Sequence, residues 1–203
     1  MDAWMQRGGV RSPAPAAGYD AAVERGFACV QHLIDEAMRG DRGAFERLIE
    51  PHLDALYRVA AGMVGPDDAA DVTQDALVSA WGALGQLTRP DRFESWLRSI
   101  LMNRARNVLR TRRRHPALTF DVGAGHGAQL LHEPMNPLPG RWAMEDAMAQ
   151  LDPDHRAVIV LHYVADLPLR QVAVTLGVRE GTVKSRLNAA LKALRRQHGE
   201  DLA

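Results

Sequence analysis

The stretch from 168 to 196, PLRQVAVTLGVREGTVKSRLNAALKALRR, leaves few folds open to the chain. Leu169, Val172, Ala173 and Leu176 recur at helical spacing and make one apolar face. Gly177 then breaks the pattern, at a point where a tight turn needs a residue that takes positive φ without cost. Val178, Val183, Leu187, Leu191 and Leu194 make a second apolar face. A short helix, a glycine turn and a second amphipathic helix predict a helix-turn-helix, with Ala173 small where the two helices cross. The start of the second helix carries Thr182, Lys184, Ser185 and Arg186, flanked by Arg179 and Asn188. In such motifs that end enters the major groove, where Arg and Lys read guanine edges and Ser or Thr reach bases or backbone. The competing expectation is a plain helical hairpin inside a bundle.

No strand alternation or hairpin signal occurs anywhere, so the chain is expected to be all-α. Residues 1–25 are rich in Ala, Gly and Pro without periodicity and read as a disordered N-terminal tail. Residues 26–114 are helical in pattern. Asp41 is a good N-cap for a helix carrying Phe45, Leu48 and Ile49. Pro51 should kink or split that helix, and Gly65-Pro66 marks a break. A helix over about 67–84 and another from about Phe93 to Arg113 follow, the latter introduced by an Asp91/Glu94 pair that resembles a capping box. Residues 115–142 hold four prolines and four glycines and read as a flexible linker. Residues 143–203 return to helix, with Asp152-Pro153 as cap and first helical residue. The expected product is two small helical domains on a tether.

The chain balances 25 Lys+Arg against 25 Asp+Glu, but the charges are sorted. Residues 39–88 hold eight acids and four bases, and 89–114 nine bases and two acids. Residues 144–168 hold five acids and one base, and 169–196 seven bases and one acid. Two basic blocks are the footprint expected of a phosphate-backbone binder. On the helix over 67–84, Asp71, Gln74, Asp75 and Val78 fall on one outward stripe, suited to a basic partner helix. On the next helix, Asn103, Arg106, Arg110 and Arg113 share a stripe, with Phe93 and Trp96 near its start. Arginine beside aromatic rings suits single-stranded DNA, whose bases stack while its phosphates pair. Phe93 is as readily a core residue.

Other chemistry is not expected. The lone Cys29 permits no internal disulfide and reads as a small buried hydrophobe. His155 and His162 have no third ligand nearby, and no P-loop, GxGxxG or HExxH occurs. No cofactor, no metal and no enzymatic activity is therefore expected. With no apolar run of membrane length and no secretory start, the expected place is the cytoplasm, with no membrane insertion.

Four strings carry a family resemblance: GDRGAFERLIEPHLDALYRVA (40–60), DAADVTQDALVSAW (68–81), FESWLRSILMNRARNVLR (93–110) and LDPDHRAVIVLHYVADLPLRQVAVTLGVREGTVKSRL (151–187). In that order the chain resembles a bacterial sigma factor of the sigma-70 superfamily, in its extracytoplasmic-function (ECF) group. The resemblance implies roles. Asp71, Gln74, Asp75 and Val78 would meet core RNA polymerase at the β′ clamp helices, with a further polymerase contact at the β flap. Phe93, Trp96, Asn103, Arg106, Arg110 and Arg113 would capture and help melt the promoter −10 element. Arg179, Thr182, Lys184, Ser185, Arg186 and Asn188 would read the −35 element. An anti-sigma factor is the implied regulatory partner. After Leu187, where the family has a basic residue followed by Arg-Ala, this chain has Asn188, Ala189 and Ala190.

Two alternatives stay open on sequence. A conventional helix-turn-helix regulator would bind duplex DNA unaided, usually as a dimer on a palindrome. The chain shows no heptad for that purpose, so the free chain is expected to be a monomer. An all-α adaptor would bind proteins only and would tolerate loss of both basic blocks. A 28-residue coil averages about 29 Å end to end and stretches to about 90 Å. Two turns of DNA span about 70 Å, so weak promoter binding is expected from the chain without polymerase.

Overall fold

The computed structural model describes residues 29–114 and 141–200; the tail 1–25 and most of the linker expected over 115–142 lie outside them. No strand occurs among the described residues. Two compact units divide at Leu48 and Ile49.

In the first unit, helix α1 covers 29–38 and ends at Gly40, whose φ of 97° reverses the chain. Asp41 caps α2 (Arg42–Ile49) as expected, its carboxylate accepting from Ala44 N–H at 3.1 Å. Ile34, Ala37, Ala44, Phe45 and Leu48 are buried. Cys29 is exposed, not buried as expected.

The second unit begins where α2 ends. Pro51 cannot donate to a continuing helix, and Glu50–His52 form a 3-10 turn before α3 (Leu53–Val64). Gly65, at φ 94°, breaks α3, and Pro66 sits where its missing N–H costs nothing, at the start of α4 (Pro66–Ala83). Two 3-10 turns, Leu84–Gln86 and Pro90–Arg92, lead to α5 (Phe93–Arg114). The Asp91 carboxylate is held by Arg89, at 2.7 Å, where a capping role for α5 was expected. That guanidinium holds the Asp91 carboxyl below the usual carboxylate range. Met63, Val72, Ala76, Leu97, Leu101, Met102 and Ala105 close a core shared by α3, α4 and α5.

After α6 (Arg141–Gln150), Asp152 caps α7 (Pro153–Ile159), accepting from Asp154 N–H at 2.9 Å. The helix continues as one wide turn, Val160–Val164, closed by Ala165 N–H donating to Val160 O at 3.0 Å. Asp166, at φ 51°, turns the chain into α8 (Leu169–Leu176). Gly177, at φ 66° and ψ 33°, ends α8 in the left-handed region, and α9 (Glu180–Glu200) follows. Val178 N–H donating to Ala173 O at 3.1 Å completes this C-terminal cap. Val158, Val160, Leu161, Val172, Val183 and Ala190 are buried, so the expected helix-turn-helix is present with its apolar faces inward. α5 packs on α7 and α8, and α3 packs on the wide turn.

Candidate nucleic-acid interface

On α4 the inward positions Ala69, Val72, Thr73, Ala76 and Ala80 turn Asp71, Gln74 and Asp75 to solvent. Thr73 tolerates burial because its hydroxyl donates to Ala69 O at 2.7 Å. Val78 continues the outward stripe and is 65% exposed, the most exposed large apolar side chain among the described residues. An apolar residue bordered by two carboxylates and an amide suits a partner that is itself a basic, partly apolar helix. The stripe is joined to α5. Ser79 donates to Asp75 O at 2.6 Å, and the Arg104 guanidinium donates to the Ser79 hydroxyl at 3.0 and 2.6 Å.

α5 divides by face. Leu97, Arg98, Leu101, Met102 and Ala105 face the core; Arg98 is neutralised by Glu94 one turn earlier. Phe93, a candidate base-stacking ring, is only 3% exposed. It packs between His52 and Trp96, with ring centroids at 5.8 and 5.9 Å, because it heads the apolar stripe of the helix. Trp96 is half-buried and is the aromatic side chain that α5 offers at its surface. Burial pushes the His52 imidazole below its usual range; Glu94 opposes this and Arg98 adds to it. Asn103 is exposed and accepts from Arg106 Nη2 at 2.7 Å.

Arg179, just before α9, and Lys184, Ser185 and Asn188 on it are exposed, Thr182 is half-buried, and Val183 and Leu187 are buried. Lys184 pairs with Glu180 at 2.8 Å, and the ammonium lowers the Glu180 carboxyl. Ser185 donates to Thr182 O at 2.9 Å.

Arginines from the two candidate surfaces meet at one carboxylate. Asp154 Oδ1 accepts from Arg106 Nη1 at 3.2 Å and Arg110 Nη2 at 3.3 Å, and Asp154 Oδ2 from Arg186 Nη2 at 3.1 Å. Beside it, Asp152 pairs with Arg113 at 3.3 Å, and Arg113 also donates to the carbonyls of Gln150 and Leu151. Arg156 Nε donates to Gly62 O at 2.8 Å and Arg112 Nη1 to Val64 O at 3.2 Å, at the negative end of the α3 dipole. Burial and the neighbouring Arg112 both lower the Arg156 guanidinium. Asp152 is expected as a cap and serves as one. The roles of Asp154, Arg112 and Arg156 are not expected from sequence, although the acid block 144–168 against the base block 89–114 is a coarse sign of that pairing.

Among the described residues no cluster of His, Cys, Asp and Glu is placed to hold a metal ion, and no helix is long and apolar enough to cross a membrane.

Comparison with known proteins matches residues 48–115 to the family model "Sigma-70 region 2" and residues 141–194 to "Sigma-70, region 4". The ECF RNA polymerase sigma factor SigL of Mycobacterium tuberculosis is 34% identical over 170 residues, covering 80% of this chain and 93% of SigL. SigM of the same organism is 31% identical over 193 residues, covering 91% of each chain. Among solved structures, CnrH in complex with the cytosolic domain of CnrY superposes with a TM-score of 0.59 at 27% identity, covering 85% of this chain and 99% of CnrH. RpoE of Bartonella quintana, solved with the anti-sigma factor NepR, has the same fold, with a TM-score of 0.57 at 24% identity over 76% of this chain and 96% of that one.

Proposed function

The chain belongs to the sigma-70 family, in its extracytoplasmic-function group, and from that premise we propose a division of labour among its three surfaces. It is a promoter-recognising sigma factor for RNA polymerase. The α4 stripe of Asp71, Gln74, Asp75 and Val78 binds the β′ clamp helices of core polymerase. The α5 face, with Trp96, Asn103, Arg106, Arg110 and Arg113, takes the −10 element, holding phosphates by arginine and a separated strand by stacking. Phe93 supports Trp96 from the core. The α9 end, with Arg179, Thr182, Lys184, Ser185, Arg186 and Asn188, reads the −35 duplex in the major groove. Residues 26–114 and 143–203 act as the two functional domains, with 115–142 as the connection. The chain performs no chemistry itself, acts where polymerase acts, in the cytoplasm, and is restrained by an anti-sigma partner.

The observation that carries this reading is the helix-turn-helix: Gly177 at φ 66° sets α9 against α8 and turns a basic N-terminal end outward. The Asp71 stripe, which a conventional duplex regulator leaves without a role, supports polymerase over unaided DNA binding. The test is to mix the purified chain with core polymerase from its source, run size exclusion, and sequence transcripts made from genomic DNA. Co-elution with transcripts sharing a two-part promoter is expected. Duplex binding without association with core would overturn the reading in favour of the conventional regulator.

A further inference from the structure

Residues 169–196 carry seven bases and one acid. The acid, Glu180, is the first residue of α9, at the end assigned to the −35 element. A carboxylate there repels phosphate, so attraction to the DNA backbone does not account for it. Glu180 Oε1 pairs with Lys184 Nζ at 2.8 Å, and the two side chains are 44% and 59% exposed. We infer that Glu180 and Lys184 together read one G·C base pair of the −35 element, Lys184 donating to guanine and Glu180 accepting from cytosine. The inference rests on the role proposed for α9, to which it adds Glu180 as a residue that sets specificity.

The donors and acceptors match. An ionised carboxylate only accepts, and an ammonium only donates, through three N–H groups. The hydrogen bond from Lys184 holds the Glu180 carboxyl below its usual range, so the accepting form is the one present. In the major groove guanine presents the acceptors N7 and O6, and cytosine the N4–H donor. Cytosine N4 and guanine O6 are hydrogen-bonded to each other, about 2.9 Å apart. That spacing is close to the 2.8 Å between Lys184 and Glu180, so the four groups close a ring. Lys184 donates to O6 and to Glu180, and cytosine N4 donates to O6 and to Glu180. The third ammonium hydrogen remains for N7. An A·T pair also sets a donor, N6–H, beside an acceptor, O4, but O4 is a single acceptor beside the thymine methyl.

A second observation concerns Gly181, which follows Glu180 and precedes Lys184 by three residues, a spacing that makes it a neighbour of Lys184 on the helix surface. Gly181 is exposed and helical, and its φ is not positive. A Cβ built on it would meet no described atom within 4 Å. Nothing in the described chain therefore calls for glycine at this place, and alanine favours a helix more. A surface arriving from outside does call for it, because a helix without a Cβ there comes closer to the base edges. The missing side chain thus leaves room for a base pair beside Glu180 and Lys184.

The test uses holoenzyme assembled from core polymerase and the full chain, offered duplex promoters with a randomised −35 element, and the bound DNA is sequenced. The parent should favour a G·C pair at one position by about tenfold. Glu180→Ala and Lys184→Ala should each lose that preference, at that position alone. N4-methylcytosine placed there keeps the base pair and removes the groove-facing N–H. It should weaken binding by the parent about tenfold and leave binding by Glu180→Ala unchanged. Gly181→Ala should raise Tm yet lose −35 binding. If Glu180→Ala keeps every base preference and only lowers Tm, the pair merely stabilises the helix and the inference is overturned. Preferences lost at different base pairs in the two variants would overturn it too. A Gly181→Ala chain that binds as the parent does would overturn the close approach. Failure of the underlying reading looks different: the parent chain itself would not associate with core polymerase, or its holoenzyme would enrich no −35 sequence.

Discussion

Replacing Gly177 isolates the backbone geometry on which the helix-turn-helix depends. Its φ of 66° and ψ of 33° lie in the left-handed region. A Cβ there would meet nothing within 4 Å, so substitution by alanine introduces strain but no collision. An L-residue in this conformation costs roughly 1–2 kcal/mol. Loss of glycine's freedom in the unfolded chain returns about 0.4–1 kcal/mol. Gly177→Ala should therefore destabilise by about 1 kcal/mol, which for a chain of this length lowers Tm by about 2–4 °C. Asparagine tolerates the left-handed region, and Gly177→Asn should cost a fraction of that. Proline cannot reach positive φ, and it removes the N–H that donates to Ala173 O and Val174 O. Gly177→Pro should cost about 3 kcal/mol or more. The assay is thermal unfolding of the full chain by circular dichroism, with the order Gly, Asn, Ala, Pro from most to least stable. An alanine variant as stable as the parent would refute the reasoning, because Gly177 would then not be held at positive φ.

Four further outcomes are expected. Asp71→Lys with Asp75→Lys should abolish co-elution with core polymerase while leaving salt-dependent duplex binding intact, since both carboxylates are exposed and far in sequence from the DNA arginines. Arg186→Ala should cost about 1–3 kcal/mol at the −35 element, read by comparing matched and mutated duplexes within the holoenzyme; a loss uniform across sequences would make Arg186 a phosphate contact. His52 titrates near 6.5 when unfolded and lower when folded, so stability should be full above about pH 6.5 and fall below it; His52→Gln should flatten that fall in chemical denaturation. Leu101→Ala empties a fully buried position and should cost about 2–5 kcal/mol by the same measurement.

The punctuation of the fold was legible because it is chemical and local. Pro51, Gly65-Pro66 and Gly177 end helices where their backbone chemistry requires, and Asp41 and Asp152 cap where their carboxylates reach. The outward stripe of α4 followed from helical spacing alone. Much of what escaped was settled by contacts that helical spacing does not mark. Phe93 lies where a surface ring or a core ring fits the periodicity equally, and packing with His52 decides for the core. Cys29 is apolar enough for a core but is exposed. Arg106 and Arg186 reach Asp154 across 48 and 32 residues, and no period in the sequence marks such a pairing. Asp91, two residues from Arg89, was read as a cap because spacing alone does not rank a backbone N–H against a guanidinium.

The wide turn at Val160–Val164 bears on how this chain tolerates insertion and deletion. Its hydrogen bond runs from Ala165 N–H to Val160 O, across five residues where an α-helix spans four. Such a turn amounts to one residue inserted into a regular helix. Deleting one residue there would restore the ordinary ladder and rotate everything beyond it by about 100° about the helix axis. α8 and α9 would keep their own fold but lose phase with Val158 and Arg156. The extra residue is thus a gear tooth: it sets the angle at which the recognition helix is presented, and a paralogue lacking it would have to reposition α9 by other means.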